Sequence, residues 1–265
     1  MRSARILLGL AAACAAFHPM ARAQRGGTEQ TKPISAREAA RADFTGYWVS
    51  VISEDWRWRM VTPARGDFAS IPFTPEGKRV GEAWDPAKDE ASGDVCKAYG
   101  AAAIMRLPGR VHITWQDDST LKIETDTGMQ TRLLHFLPAG GEAPKNLPAS
   151  RQGYTVAEWE GPVRGFGLPR AGLGATREGT KSKAIEAETT HLLPGYLRKN
   201  GFPVSGNAVV KEYFDLVTER SGQPWFVVTT IVEDPVYLQE PFVTSSNFKK
   251  QADAAGWNPR PCSAR

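Results

Sequence analysis

Cysteine is scarce in this 265-residue chain, with three residues at Cys14, Cys96 and Cys262. No two stand in a CxxC pair, so a dithiol redox motif and a four-ligand zinc spacing are both excluded. Histidine is nearly as rare, with four residues and no HxH or HxxE pairing between them. There is no GxSxG elbow, no P-loop and no GxGxxG between a strand and a helix, which removes the common hydrolase, nucleotide and dinucleotide signatures. Long apolar runs are missing beyond the N-terminus, so no membrane span is expected. No internal repeat is apparent. What is present is a 41% hydrophobic share, enough to fill a core, and eight tryptophans.

The net charge of +4 invites a nucleic-acid reading that does not survive inspection. Arg2, Arg5 and Arg22 fall in the first 23 positions, where no acid stands. Without them 30 basic residues face 29 acids, a balance of +1 that offers little counterion-release drive toward a polyanion. Those arginines flank the apolar run Ile6 to Phe17, and Ala21-Arg22-Ala23 supplies small residues before Gln24. A charged start, a short apolar stretch and an A-x-A end read as a secretory signal over residues 1–23, cleaved near Ala23. The protein is therefore expected to be periplasmic or secreted. Cys14 lacks the Leu three residues earlier that a lipoprotein site carries, which argues against a lipid anchor. Loss of the signal leaves Cys96 and Cys262, and two cysteines in an oxidising compartment suggest one disulfide.

Residues 24–43 read as a polar leader and a short helix, opened by a capping box of Ser35 with Glu38 and running through Ala42. From residue 44 to 265 a single domain is expected. Gly46 to Ile52 is rich in aromatic and β-branched residues and predicts a strand. Trp56-Arg57-Trp58-Arg59-Met60 alternates apolar with basic, the period of a half-buried strand. A helical insertion is predicted over about 74–106: one helix begins at Thr74-Pro75-Glu76, a second spans Asp94 to Met105, and Pro108-Gly109 stops it. Strands then dominate. Val111 to Trp115, Leu121 to Thr125 and Gln130 to Leu137 form a meander. Gly153 to Glu160, Ala184 to Leu193, Val209 to Thr218, Trp225 to Val232 and Phe242 to Phe248 follow. The glycine-rich, basic stretch over about 161–183 predicts an irregular loop, read as a solvated connector or a flap over a cavity mouth.

Asp43-Phe44-Thr45-Gly46-Tyr47-Trp48, followed by a meander, resembles the G-x-W opening of lipocalin-like (calycin) β-barrels. Glu54 to Met60, Pro194 to Gly201 and Glu233-Asp234-Pro235 are similar to phrases in a group of uncharacterised exported bacterial proteins. The resemblance implies a mainly β fold, an antiparallel barrel whose Trp plugs the closed end and whose open end admits a small apolar ligand. It also implies a disulfide from the C-terminal tail to the barrel wall, as Cys96 and Cys262 would supply. An insertion of about 50 residues after the first strands departs from that pattern.

A small barrel holds side chains or one small ligand, so alternation decides which residues could form a site. In the 56–60 stretch two faces compete. Trp56 and Trp58 inward would line an apolar pocket, the favoured reading, whereas Arg57 and Arg59 inward would hold a carboxylate or phenolate. His112, Trp115 and Tyr213 on neighbouring strands complete the candidate ligand-binding set. His135 and His191, with Tyr196, are the candidate acid–base residues. A structural role competes with that reading for each histidine, and neither a metal nor a cofactor is expected. Arg198 and Lys199 belong to a turn from Pro194-Gly195 to Asn200-Gly201, expected to be exposed. Glu233 and Asp234, adjacent on a strand, point to opposite sides, so at most one would enter a cavity. Three functions follow as expectations. The first is an exported barrel binding a small apolar or aromatic molecule. The second is a cofactor-independent lyase, isomerase or decarboxylase on an aromatic or terpenoid compound. The third is an envelope protein with a filled barrel and a protein partner. The tryptophans also leave sugar stacking open.

Overall fold

The computed structural model describes residues 34–138, 141–160 and 184–265. The expected signal, most of the leader and the 161–183 loop lie outside the described residues. Among the described residues thirteen strands and three short α-helices follow one another: β1 (Gly46–Val51), α1 (Trp56–Arg59), α2 (Pro75–Glu82), α3 (Pro86–Ala91), β2 (Arg110–Trp115), β3 (Thr120–Thr125), β4 (Thr127–Gly128) and β5 (Thr131–Phe136). Then come β6 (Tyr154–Trp159), β7 (Ile185–Thr190), β8 (Gly195–Arg198), β9 (Phe202–Val204), β10 (Val209–Thr218), β11 (Pro224–Glu233), β12 (Phe242–Lys250) and β13 (Arg260–Pro261). Nine of the strands close a barrel in the order β1-β12-β11-β10-β7-β6-β5-β3-β2. The fold is mainly β and mostly antiparallel, compatible with a calycin-like barrel. One neighbouring pair departs from this: β5 and β6 run parallel. Two further pairs stand apart from the ring, the β8–β9 hairpin and a parallel pairing of β13 with β4.

Alternation along the strands sets the interior in layers. Phe214, Phe226, Phe248 and Trp48 occupy one apolar layer, with Phe226 5.3 Å from Phe248 and 5.6 Å from Trp48 between ring centroids. Trp48 is 1% exposed and donates its indole N–H to the Phe44 carbonyl at 2.9 Å, so the G-x-W tryptophan is a core residue. The next inward positions are polar: Glu212, Thr230, Thr189, Thr155 and Arg132, all buried. Arg132 meets Glu212 as a fork, Nη1 to Oε1 at 3.0 Å and Nη2 to Oε2 at 2.5 Å, with both side chains fully buried. Beyond that layer a second apolar cluster gathers Val210, Val232 and Phe242 with Phe202, Leu197 and Phe68. The helical insertion and the β8–β9 hairpin thus cover the barrel end that Phe242 marks. Side chains fill the interior in three layers.

Several local readings change. The capping box forms, with Ser35 and Glu38 exchanging hydrogen bonds at 2.9 and 3.1 Å, but it closes a single turn rather than a helix. The helix expected over 94–105 is instead α3, earlier in the chain, followed by two 3₁₀ turns, Lys97–Tyr99 and Ile104–Arg106. Gly100 separates them; it lies in extended backbone, and a Cβ there would meet the Arg151 carbonyl at 2.7 Å. Trp56–Met60 is not a strand. Asp55 turns the chain with φ 52°, and the amides of Trp58 and Arg59 return to its carbonyl, folding α1 as one helical turn.

Candidate functional site

The cap over the barrel end carries a cleft of about 340 Å³, walled by α1 and its exit, the second 3₁₀ turn, β8 and the C-terminal tail. Its lining is conspicuously basic: Arg59, Arg106, Arg198, Lys199 and Arg260. Three of these guanidiniums are buried, Arg59 at 7%, Arg106 at 5% and Arg198 at 3% exposure. Arg59 is drawn inward because its Nε donates to the Arg106 carbonyl at 2.8 Å and its Nη1 pairs with Glu54 at 2.5 Å. These two contacts, one from Glu54 just before the turn and one from Arg106 far along the chain, hold Arg59 inward on the helical turn 56–59. Arg106 pairs with Asp55 at 2.9 Å and lies over the Phe242 ring at 5.4 Å. Arg198 rests between the Trp58 and Phe242 rings, at 5.1 and 5.8 Å, and donates from Nη1 to the Ala69 carbonyl at 2.8 Å.

Charge in this cluster is not balanced. Arg59 and Arg106 each have a carboxylate at ion-pair distance, whereas the Arg198 contacts are a carbonyl and two aromatic faces. Arg59 Nη2, Arg106 Nε and Arg198 Nε and Nη2 are buried N–H groups without an acceptor. Burying a cation without a partner is unfavourable, and neighbouring cations add to it. Burial, and then the Arg198 charge, push Arg106 down to about 10, with Arg59 adding to the effect and Asp55 opposing it. Burial likewise lowers Arg59 and Arg198 against the pull of nearby carboxylates. An anion entering here would relieve that crowding.

The opposite wall is built by the tail. Cys96 and Cys262 form a disulfide across 166 residues, with Cα atoms 5.2 Å apart. It ties the Lys97–Tyr99 turn to the segment that carries Pro261 and Ser263. Arg260 donates its amide to the Asp126 carbonyl at 2.8 Å, which starts the β13–β4 pairing. The Ser263 amide donates to the Tyr99 hydroxyl at 3.2 Å, and their hydroxyls lie 3.3 Å apart. Lys199 Nζ donates to Ser263 Oγ at 3.2 Å and sits over the Tyr99 ring. Burial alone would raise the Tyr99 phenol, but the two Ser263 contacts and Lys199 outweigh it and lower its pKa.

The residues singled out in sequence scatter. Trp58 and Arg59 line the cleft, while Trp56 and Arg57 stand exposed beside it, Arg57 facing Asp67 at 3.4 Å. His112 lies on the outer face of β2, stacked on Tyr47 at 4.1 Å, with Glu124 at 3.4 Å from its Nδ1. Trp115 ends β2 and packs against Phe136, 5.5 Å between ring centroids. Tyr213 faces outward from β10 and donates to Glu186 at 3.3 Å. His135 faces outward from β5 and stacks on Tyr154 at 4.5 Å. His191 is exposed with φ 57°, its Nδ1 2.8 Å from the Thr190 hydroxyl. Tyr196 donates to Asp89 at 2.8 Å, and burial, with that carboxylate, raises its pKa. His135, His191 and Tyr196 lie outside the arginine cleft.

The turn expected to be exposed is instead buried where it matters. Asn200 is fully buried and donates to the carbonyls of Ala64 and Asp67, and β8–β9 pairs as a hairpin under the insertion. Asp234 also turns inward, accepting from the Ser205 amide and hydroxyl at 2.7 and 2.8 Å, while Glu233 meets Lys211 outside. Arg106, Tyr99, Arg260 and Ser263 were not singled out in sequence. One signal pointed toward three of them: the Cys96–Cys262 pairing brings 260–263 beside 97–99. Among the described residues no three His, Cys, Asp or Glu side chains gather as a metal-binding group, and no helix is long and apolar enough to cross a membrane. The chain matches no protein-family model, no curated protein and no solved structure.

Proposed function

We propose that the protein is an exported, calycin-like barrel that binds a small aromatic or apolar acid, in the arginine cleft on its cap rather than in the barrel lumen. The observation that carries this reading is the cluster of three buried guanidiniums around a cleft of about 340 Å³ with only two carboxylates paired to them. Ligand pockets begin near 300 Å³, and a few convergent charged groups within partly apolar walls are their usual make-up. Trp58, Leu107 and Pro108 supply the apolar wall, and the arginine fork suits a carboxylate. The packed aromatic and polar layers leave the lumen occupied by the protein's own side chains, which argues against a ligand there.

Titration of the disulfide-intact protein with benzoate and with its uncharged amide tests the reading. Benzoate should bind saturably and raise the thermal midpoint, benzamide should bind at least tenfold more weakly, and Arg198→Met should abolish the difference. Equal affinity for acid and amide would refute the assignment. A second reading, acid–base catalysis on the bound acid, is favoured by one contact set: the Tyr99 hydroxyl within reach of Ser263 and Lys199 at the cleft wall. In that case Tyr99, its acidity raised, would exchange the proton while the arginines hold the anion.

A further inference from the structure

The cleft does not end at its charged floor. Eight large apolar side chains stand exposed among the described residues, and three of them, Trp56 at 67%, Met60 at 58% and Val61 at 69%, fall within six consecutive positions on α1 and its exit. Met60 and Val61 also line the cleft, so the ridge is continuous with the arginine site. Single exposed apolar residues need no explanation, but a run of them beside a charged cleft does. The helical turn is what produces the arrangement. Arg59 is drawn in toward Glu54 and the Arg106 carbonyl, and Trp56 and Met60, flanking it on the same turn, are left outside.

Resting on the anion reading above, we infer that the ligand is an amphiphile in monomeric form: an acidic head against Arg59, Arg106 and Arg198, and an unbranched apolar tail leaving across Met60 and Val61 toward Trp56. The charge asymmetry supports the head, since no carboxylate stands at ion-pair distance from Arg198 and Asp55 and Asp67 act on it only from further away. The ridge supports the tail, because it offers apolar surface open on one side where a cleft of about 340 Å³ could not enclose a long chain. Complete burial of a methylene is worth about 0.8 kcal/mol, roughly fourfold in affinity. A tail lying on a one-sided ridge buries about half of that surface, so each methylene should contribute about twofold.

Calorimetric titration of the full, disulfide-intact protein with butanoate, hexanoate, octanoate and decanoate, each below its micelle concentration, provides the test. Affinity should rise about 60-fold from butanoate to decanoate. In Met60→Ser/Val61→Ser, with folding checked by circular dichroism, that rise should flatten to within a few-fold. Butanoate and benzoate binding with no dependence on chain length would overturn the amphiphile while leaving the anion site standing; loss of all acid binding would overturn both. A chain-length dependence that survives intact in the double variant would also refute the ridge. So would co-sedimentation with anionic-lipid vesicles without saturable binding of the monomeric acids, since the exposed side chains would then serve a bilayer surface.

Discussion

The buried Arg132–Glu212 pair permits a quantitative test of how the barrel interior is held. Both side chains are fully removed from solvent and meet through two parallel contacts of 3.0 and 2.5 Å. At an effective dielectric of about 20, opposite charges about 3 Å apart attract by roughly 5 kcal/mol, which offsets much of the desolvation of both ions. Thr189 and Thr230 reach the pair only at 3.5 Å, too long to replace a missing partner. Glu212→Gln therefore strands a buried guanidinium and should remove about 3–5 kcal/mol, as should Arg132→Met by stranding the carboxylate. Replacing both, Arg132→Met with Glu212→Leu, removes the charges together and should fall within about 1 kcal/mol of the parent or above it. Urea unfolding of the oxidised protein, compared at equal slope, measures each value. A double variant that loses the sum of the two singles would refute the reasoning, because it would make the pair a net source of stability. Singles that lose less than about 1 kcal/mol would refute it too, by showing that water reaches the layer.

Further expectations follow from the same structure. Cys96→Ser/Cys262→Ser opens a constraint across 166 residues and should lower stability by about 5 kcal/mol in the chain-entropy account, read from the urea midpoint. The same variant should bind benzoate more weakly, because the tail wall with Pro261 and Ser263 loses its brace. Burial against Tyr154 lowers the His135 pKa from its usual value, with Asp117 opposing, so the unfolded chain takes up this proton more readily. Stability should then be unaffected above about pH 6.5 and fall as pH drops from there toward the folded value; His135→Gln should remove that slope, and a histidine NMR titration should give the lowered midpoint. Gly201→Ala should cost about 3 kcal/mol or more, since φ is +84° and the added carbon would sit 1.9 Å from Trp84 Cγ; thermal unfolding checks it.

Much of the barrel was legible in alternation. Stretches such as Val209–Phe214 and Trp225–Val232 alternate in burial residue by residue, and the Trp48 motif marks a core position. The site was less legible, for a physical reason. Alternation of Trp and Arg over 56–60 is compatible with a strand, but the winding is decided by Glu54, Asp55 and a carbonyl 47 residues away, none of which enters a local pattern. Arg198 and Asn200 looked like a polar turn because their partners, Ala69, Ala64 and Asp67, belong to a segment brought over them only by the insertion. Arg106 carries no local signal at all. Its depth follows from Phe242 and Asp55, far off in sequence. The histidines drew attention by chemistry, yet strand parity alone puts His112 and His135 outside.

The parallel contact of β5 with β6 carries a consequence for how this ring breathes. It rests on three register pairs, Leu134–Thr155, His135–Val156 and Phe136–Ala157, where β10 and β11 share ten. Parallel pairing is also slightly weaker per residue. A closed ring has no edge, but it has a weakest link, and here that link is a latch rather than a ladder. Amide exchange should be fastest across these six residues, and the His135–Tyr154 stack spans the same gap from the outer face like a clasp. Acid that charges the imidazole would loosen that clasp, giving the barrel a preferred place to unzip while the arginine cap stays assembled on its far end.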